Sequence, residues 1–545
     1  MVGLRKIEDR PTPPCVYNFR VYMCSVVAAC AAIMIGYDSA FIGGTIVLPS
    51  FEKEFGLNTK SAADLNFISA NIVSTYQGGC FFGAIFGYPI GYFVGRKRGL
   101  LISSLVFIIG TSMMLGANGS RGLNLIYIGR VIAGMGIGCA SNLTPIYISE
   151  ISPPAIRGRL IGLYEIGWQS GGLVGFWINY GVSKGLPSSH RQWLIPFAIQ
   201  LVPAGMFFLG IWYIRESPRW LMGRNRRDEA VANLAWIRKL DPKEQYLIEE
   251  INMMDAQLAH ERSIVGESFW APIREVFTIM PIFRRMLLGT SLFIFQNGTG
   301  INAINYYSPT IFKSIGVTGT NTGLFTTGIF GVIKTVFTLV WLFFLIDHAG
   351  RRNLMIFGAA GGGIAMYYIG AYIKIGQPEL HPTTTLSSGG ISAMAFFYLW
   401  TIFYSLSWNG TPWIVNAEMF PGHTRGVTQT LSAASNWLWN FVISRATPTM
   451  FTSMGYGVYI FFATMMILSI PYLYFLLPET KNVPLEEMDR LFAPGLKPWK
   501  ANKVVMADVR AARSSDLYAR NASMDSEEKG VGSIEHHEQT SGHGA

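Results

Sequence analysis

The sequence predicts an all-α membrane protein, with twelve transmembrane helices in two six-helix bundles that repeat one another. Three observations carry this. Half of the 545 residues are hydrophobic and only 14% are charged, against about a quarter in soluble domains. Apolar runs of about twenty residues, the length that crosses a hydrocarbon core of about 30 Å, recur along most of the chain. A polar signature, E-x-x-P-x-x-x-R-G, follows an apolar run twice, as "EISPPAIRG" (Glu150–Gly158) and "EMFPGHTRG" (Glu418–Gly426).

The runs begin near Val21, Asn66, Leu100, Leu123, Leu160 and Trp193, and again near Met286, Asn321, Leu354, Ile391, Thr428 and Tyr456. Buried soluble helices rarely repeat at this length, so spanning helices are the expectation. The domains are then a cytoplasmic segment 1–18, a first bundle 19–214, a linker 215–285, a second bundle 286–478 and a tail 479–545. In the linker, Asp228–Lys239 and Pro242–Arg262 mix apolar and charged residues at helical spacing, which predicts short amphipathic helices. From about Lys500 the chain is rich in Ser, Glu, His and Gly, and a largely disordered tail is expected.

Charge sets the orientation. Arg96, Lys97, Arg98, Arg157, Arg159, Arg351, Arg352 and Arg425 fall in alternate short loops, while the intervening loops mix signs or are nearly uncharged. Lys and Arg favour the cytoplasmic side, so both termini are expected there; the plasma membrane is the expected location. The net charge of +10 is thereby a topology signal that calls for no nucleic-acid partner. Met1–Asn18 is polar with mixed charge and carries no signal-peptide pattern. Five scattered cysteines suggest neither a disulfide framework nor a zinc site, and the eight histidines show no metal-ligand spacing. No cofactor is expected, and the functional unit is expected to be a monomer. "GMGIG" (Gly134–Gly138) looks like a dinucleotide fingerprint, but it lies inside a span, where close helix packing accounts for it.

Parallel six-helix repeats describe a secondary transporter with its site near the midplane between halves. The motifs "GYDSAFIGG", "GRVIAGMGIG", "PIYISEISPPAIRG", "ESPRWL", "QNGTGINAINYY", "DHAGRR" and "PETKNVPLEEMD" make the chain, from about Arg10 to Arg490, resemble the sugar porter family of the major facilitator superfamily. Within the family, "EDRPTP", "QWLIPFAIQLVPAG", "YYSPTIFKSIGVTG" and "SWNGTPW" are most similar to fungal quinate permeases. The resemblance implies proton-coupled uptake of quinate by alternating access and no enzymatic activity. A proton-coupled pentose or hexose transporter is the alternative, and a non-transporting nutrient sensor a second.

Ionisable residues inside a membrane are costly and are functional candidates by default. Asp38 and Arg130 lie at similar depth, roughly 10–12 Å below the outer ends of their spans. They can pair, and the carboxylate can take a proton when the pair opens; a permanent structural bridge is the other reading. The resemblance implies the proton-coupling role. It also places Gln169, Gln296, Asn297, Asn302, Trp408 and Asn436 at sugar-binding positions, where each amide can instead join helices and Trp408 can instead be packing. Asn297 stands where the family usually has a second Gln.

Lys334 lies mid-span, and Thr327, Lys334 and Thr338 form one polar stripe at i, i+7, i+11. Lys334 is expected to bind a substrate carboxylate or to order the site by hydrogen bonds; snorkelling from mid-span is the least favoured reading. Arg445 is expected to snorkel or to pair structurally. Glu150, Arg157, Glu418 and Arg425 can pair with Arg96 and Arg351, joined by Glu216 and Glu479, as a cytoplasmic gate; simple solvation is the alternative. Tyr92 and Phe93 stand where the family often has Asp and Arg, while Asp347 is retained in the second half, which predicts a weaker first-half latch.

Overall fold

The computed structural model describes residues 12–266, 268–346, 348–378, 387–481, 483, 487–493, 495–509 and 511. Among them there is no strand. The first half is built from α1 (Phe19–Ile46), α2 (Ala62–Phe93), α3 (Arg96–Leu115), α4 (Asn124–Ile151), α5 (Arg157–Gly185) and α6 (His190–Tyr213). The second is built from α7 (Met280–Gly298 continued by Ile301–Ile315), α8 (Thr320–Leu345), α9 (Arg351–Gly376), α10 (Ser388–Ser405 continued by Thr411–Glu418), α11 (Arg425–Met454) and α12 (Gly457–Leu476). The Arg-rich loops gather at one end of the bundle, called here the charged end.

Side chains close the helix starts. Asn18 Oδ1 accepts from the N–H of Arg20 and Val21 at the head of α1, Ser61 caps α2, and Ser387 caps α10. Among the described residues, seven spans, α1, α3, α4, α6, α8, α9 and α12, are long and apolar enough to cross a membrane by length and composition alone. The other five are the broken pair α7 and α10, and α2, α5 and α11, which carry their polar residues where the halves meet. Broken backbone is tolerated at membrane depth only where protein or a cavity satisfies it.

The halves meet along two principal seams, α2 against α11 and α5 against α8, and a third where α1 touches the second piece of α7. Beside the first seam, α4 also reaches α11: Asn142 Nδ2 donates to Thr430 Oγ1 at 2.7 Å, and Trp437 Nε1 donates to Ser141 Oγ at 3.2 Å. Away from the charged end, Ser183 Oγ donates to Asn321 at 2.8 Å and Trp177 packs edge-on against Phe325. Near the charged end, Leu342 lies over Gly162 and Tyr88 over Gly426. The halves are thus in contact on both sides of the centre.

The linker forms helices Pro218–Gly223, Arg227–Arg238 and Gln245–Val265 around Leu221, Leu234 and Leu247. Arg238 pairs with Glu250 at 2.6 Å and donates to the Ile151 carbonyl, which ties this layer to the end of α4. A further helix absent from the sequence reading, Ala271–Thr278, turns through 89° into α7. The tail also differs from expectation. Residues 498–509 are helical, and Ala501, Val505 and Val509, spaced i, i+4, i+8, bury one face against Met488 and Leu491. That stripe is short and lies among polar residues, so composition hid it. The rest of the expected disordered tail, 512–545, lies outside the described residues, as do 1–11 and Asp347.

Candidate functional site

Lys334 sits in the middle of α8, one of the most apolar spans, and its neighbours in the stripe are all buried toward protein. Thr327 Oγ1 donates to Ser308 at 3.2 Å, and Thr338 Oγ1 accepts from Asn409 at 3.3 Å. The Lys334 ammonium makes no hydrogen bond or ion pair among the described residues. It lines a narrow cavity between the halves, with Ser39 of α1, Gln169 and Phe176 of α5 and Asn305 of α7. That cavity has room for about one water-sized molecule. A polyol enters only when the halves part.

Two of the expected binding residues, Gln169 and Lys334, line this cavity. Asn297, Asn302 and Asn436 form a chain of amides beside the break in α7. Asn297 Nδ2 donates to Asn436 Oδ1 at 3.3 Å, and Asn302 Nδ2 donates to Asn297 Oδ1. Gln296 Nε2 donates to the carbonyls of Trp408 and Asn409, at 2.8 and 2.9 Å, and so satisfies backbone freed by the break in α10.

Trp408 is corrected. Its indole is fully buried in the core of the second half, and Nε1 is committed to the Met355 carbonyl at 3.0 Å. It packs beneath the site rather than presenting a face to substrate. Five residues on, Trp413 is only partly buried; it packs on Phe293 with centroids 4.7 Å apart and against the core of the first half. Trp413 is the aromatic of "SWNGTPW" that stands between the halves.

The structure also shows residues the sequence reading passed over. Glu165 lies one helical turn before Gln169 on α5, and accepts from Gln169 Nε2 and Asn409 Nδ2, each at 2.8 Å. It faces Lys334 electrostatically. The signal was present: a lone carboxylate inside a span, spaced i, i+4 from an expected binding amide. Asn305 lines the cavity, and its Oδ1 is buried with no hydrogen-bond partner among the described residues.

Asp38 and Arg130 are both fully buried within the first half and joined by one bond, Nη1 to Oδ1 at 3.1 Å. Among the described residues, Asp38 Oδ2 and Arg130 Nε and Nη2 have no hydrogen-bond partner. The guanidinium rests over the Tyr76 ring, 4.8 Å from its centroid. A buried pair this incompletely satisfied is costly to hold. Arg445 is placed over the Phe67 ring at 4.7 Å, a contact between α11 and α2.

At the charged end the two halves repeat one arrangement of residues. Arg96 pairs with Glu150 at 2.8 Å and Arg351 with Glu418 at 2.9 Å. Arg96 Nη1 donates to Gly91 O, and Arg351 Nη1 to Ile346 O, each five residues back. Gly95 and Gly350 precede α3 and α9 with φ of +105° and +83°, a left-handed backbone that glycine adopts without strain. Neither offers a capping side chain, so Glu216 accepts from the N–H of Arg96 and Lys97, and Glu479 from those of Arg351 and Arg352. These bonds lie within each half. Arg157 and Arg425 stand at the starts of α5 and α11. Tyr92 and Phe93 pack on Phe269 of the linker, and Arg224 lies over the Tyr92 ring. Aromatic contact takes the place of the missing charge pair.

Comparison with known proteins follows this geometry. A family model described as "Sugar (and other) transporter" matches residues 23–492. Over 507 residues the chain is 59% identical to a probable quinate permease of Aspergillus niger, covering 93% of this chain and 94% of that one. It is 58% identical over 509 residues to a quinate permease of Emericella nidulans, covering 93% and 95%. Among solved structures it resembles the proton:xylose symporter XylE bound to 6-bromo-6-deoxy-D-glucose, with TM-score 0.72 and 27% identity over 87% of this chain and 99% of that one. The inward-open form of the Escherichia coli xylose transporter XylE matches with TM-score 0.69 and 26% identity, over 87% of this chain and 100% of that one.

Proposed function

This chain belongs to the sugar porter family of the major facilitator superfamily, and from that premise we propose that it takes up quinate with protons across the plasma membrane by alternating access. That it is a transporter of sugar-like substrates, not an enzyme, follows from the family and the permease relatives. The observation that carries the finer reading is Lys334: a cation without a hydrogen-bonded partner, facing a cavity otherwise lined by neutral groups. Quinate is a polyol with one carboxylate, and its hydroxyls suit Gln169, Asn305 and the amides beside the α7 break. Trp413 supplies an apolar face near them.

The proton is carried by Asp38, whose single bond to Arg130 opens when the acid is protonated. The pairs at the charged end brace each half while α2 and α5 rock against α11 and α8, and Arg157 and Arg425 close the inner face. The charged end faces the cytoplasm with both termini. One molecule suffices, because the site lies between halves of the same chain.

A neutral pentose is the second reading, supported by the likeness to the proton:xylose symporter and by the many neutral amides. Uptake of labelled quinate, xylose and glucose in yeast lacking its own transporters, with and without a proton uncoupler, separates the two. Quinate uptake that exceeds equilibrium and collapses with the uncoupler is expected. Uptake of xylose alone refutes the quinate assignment, and accumulation indifferent to the uncoupler refutes coupling.

A further inference from the structure

Glu165 has no task in the function proposed above. Both of its hydrogen bonds end on the same oxygen: Gln169 and Asn409 donate to Oε1, and Oε2 receives none among the described residues. Two amide donors on one oxygen suit either form of the acid. The carboxylate accepts both, and the neutral acid accepts both at its carbonyl oxygen while carrying a proton on Oε2.

The charged and titratable groups around Glu165 are few. Lys334 faces it from α8 and Tyr404 from α10, with Tyr164 beside it on α5. α1 and α4, also packed on α5, hold Asp38 and Arg130 in their own pair, and Glu150 is committed to Arg96. His190 at the start of α6 is paired with Glu54. Lys334 is therefore the counter-charge to Glu165 among the described residues, and the two stand on opposite halves.

We propose that Glu165 is a second proton-binding residue of the transport cycle, which balances Lys334 until a substrate carboxylate engages that lysine and then takes a proton on Oε2. This rests on the quinate reading. A bound carboxylate adds one negative charge to a water-poor site, where an unbalanced charge is costly. A hydronium ion from the side the cavity faces gives its proton to Oε2, forming an O–H bond and leaving water. The net charge of the site is then the same loaded as empty. Glu165 lies toward the charged end from Gln169, and its bond from Asn409 crosses between halves. Parting of the halves at that end removes the Asn409 donor and brings water to the acid, so proton and substrate leave together.

Calorimetric titration of the purified full chain in lipid nanodiscs, at about pH 6 in buffers of different ionisation enthalpy, counts protons taken up per quinate bound. Quinate methyl ester, which has no charge, is the reference ligand. Wild type is expected to take up about one more proton with quinate than with the ester, by linkage. Glu165→Gln is expected to lose that difference while still binding quinate, and Glu165→Asp to keep it. Equal counts for quinate and ester in wild type, or an undiminished count in Glu165→Gln, overturn the proposal. The wild-type comparison decides even if the Gln variant does not fold. Wild type that binds xylose but not quinate refutes the substrate reading instead, and the proposal falls with it.

Discussion

Asn409 of α10 donates to Glu165 of α5 at 2.8 Å, a bond from one half of the molecule to the other. The same amide reaches Thr338 of α8 at 3.3 Å. It sits in the break of α10, where side chains are free of helical register. The bond helps hold the halves together on the charged side of the cavity. A hydrogen bond to a charged group contributes about 1.5–3 kcal/mol, so Asn409→Ala is expected to raise the population open at that end at least about tenfold. The measure is alkylation of Gly162→Cys, which faces Leu342 across the seam. An unchanged alkylation rate shows that this bond does not hold the seam.

Lys334→Asn keeps a polar group in the cavity and removes the charge. Quinate uptake is expected to weaken at least about tenfold in KM, in line with the loss of a charge-assisted contact. Neutral sugar uptake is expected to change by less than about threefold, a few tenths of a kcal/mol in affinity terms. Equal losses for both substrates remove the carboxylate contact from Lys334.

Much of this site was legible because a membrane makes charge conspicuous. Asp38, Arg130 and Lys334 each interrupt an apolar run, and equal depth was enough to join the first two. Glu165 was harder, because "LYEIGWQSGG" is already less apolar and one more polar residue did not stand out. For Trp408 the sequence left substrate contact and packing both open. Its burial and bond to the Met355 carbonyl favour packing, and the second tryptophan of "SWNGTPW", Trp413, is the one that stands between the halves. The duplicated ends were legible as sequence, whereas capping of α3 and α9 by glutamates more than a hundred residues away needs the fold.

Asp38→Asn removes the proton carrier but keeps the shape. Concentrative quinate uptake is expected to fall and its dependence on external pH to weaken to the part carried by Glu165, while counterflow exchange continues. The variant also leaves Arg130 buried without its partner, a cost of about 3–5 kcal/mol, so a lower thermal midpoint is expected beside it. Uphill uptake undiminished in Asp38→Asn assigns coupling elsewhere.

Glu216→Gln and Glu479→Gln test the matched caps. Each replaces a carboxylate at a helix N-terminus with a neutral acceptor and is expected to cost about 1–2 kcal/mol. Because the two sites repeat each other, their shifts in thermal midpoint are expected to agree closely, and the double variant to show nearly their sum. A large effect at one site and none at the other breaks the equivalence of the halves.

The glycines of "GMGIG" give the last test, which separates packing from any other role. A Cβ at Gly134 would lie 2.2 Å from the Tyr76 carbonyl oxygen of α2, and one at Gly138 would lie 2.1 Å from that of Cys80. Gly136 points the other way, where a Cβ would meet Ser103 O of α3 at 2.6 Å. The helix is thus pressed from two sides, and no side chain fits without moving backbone. Gly138→Ala is expected to cost about 1–3 kcal/mol by overpacking, seen as a lower thermal midpoint in detergent. Gly181 of α5, which has nothing within 4 Å of its Cβ position, provides the control. There Ala replaces Gly in an open helix face and is expected to leave the midpoint unchanged or raise it. If Gly138→Ala behaves like Gly181→Ala, α2 and α4 are not held together at these glycines.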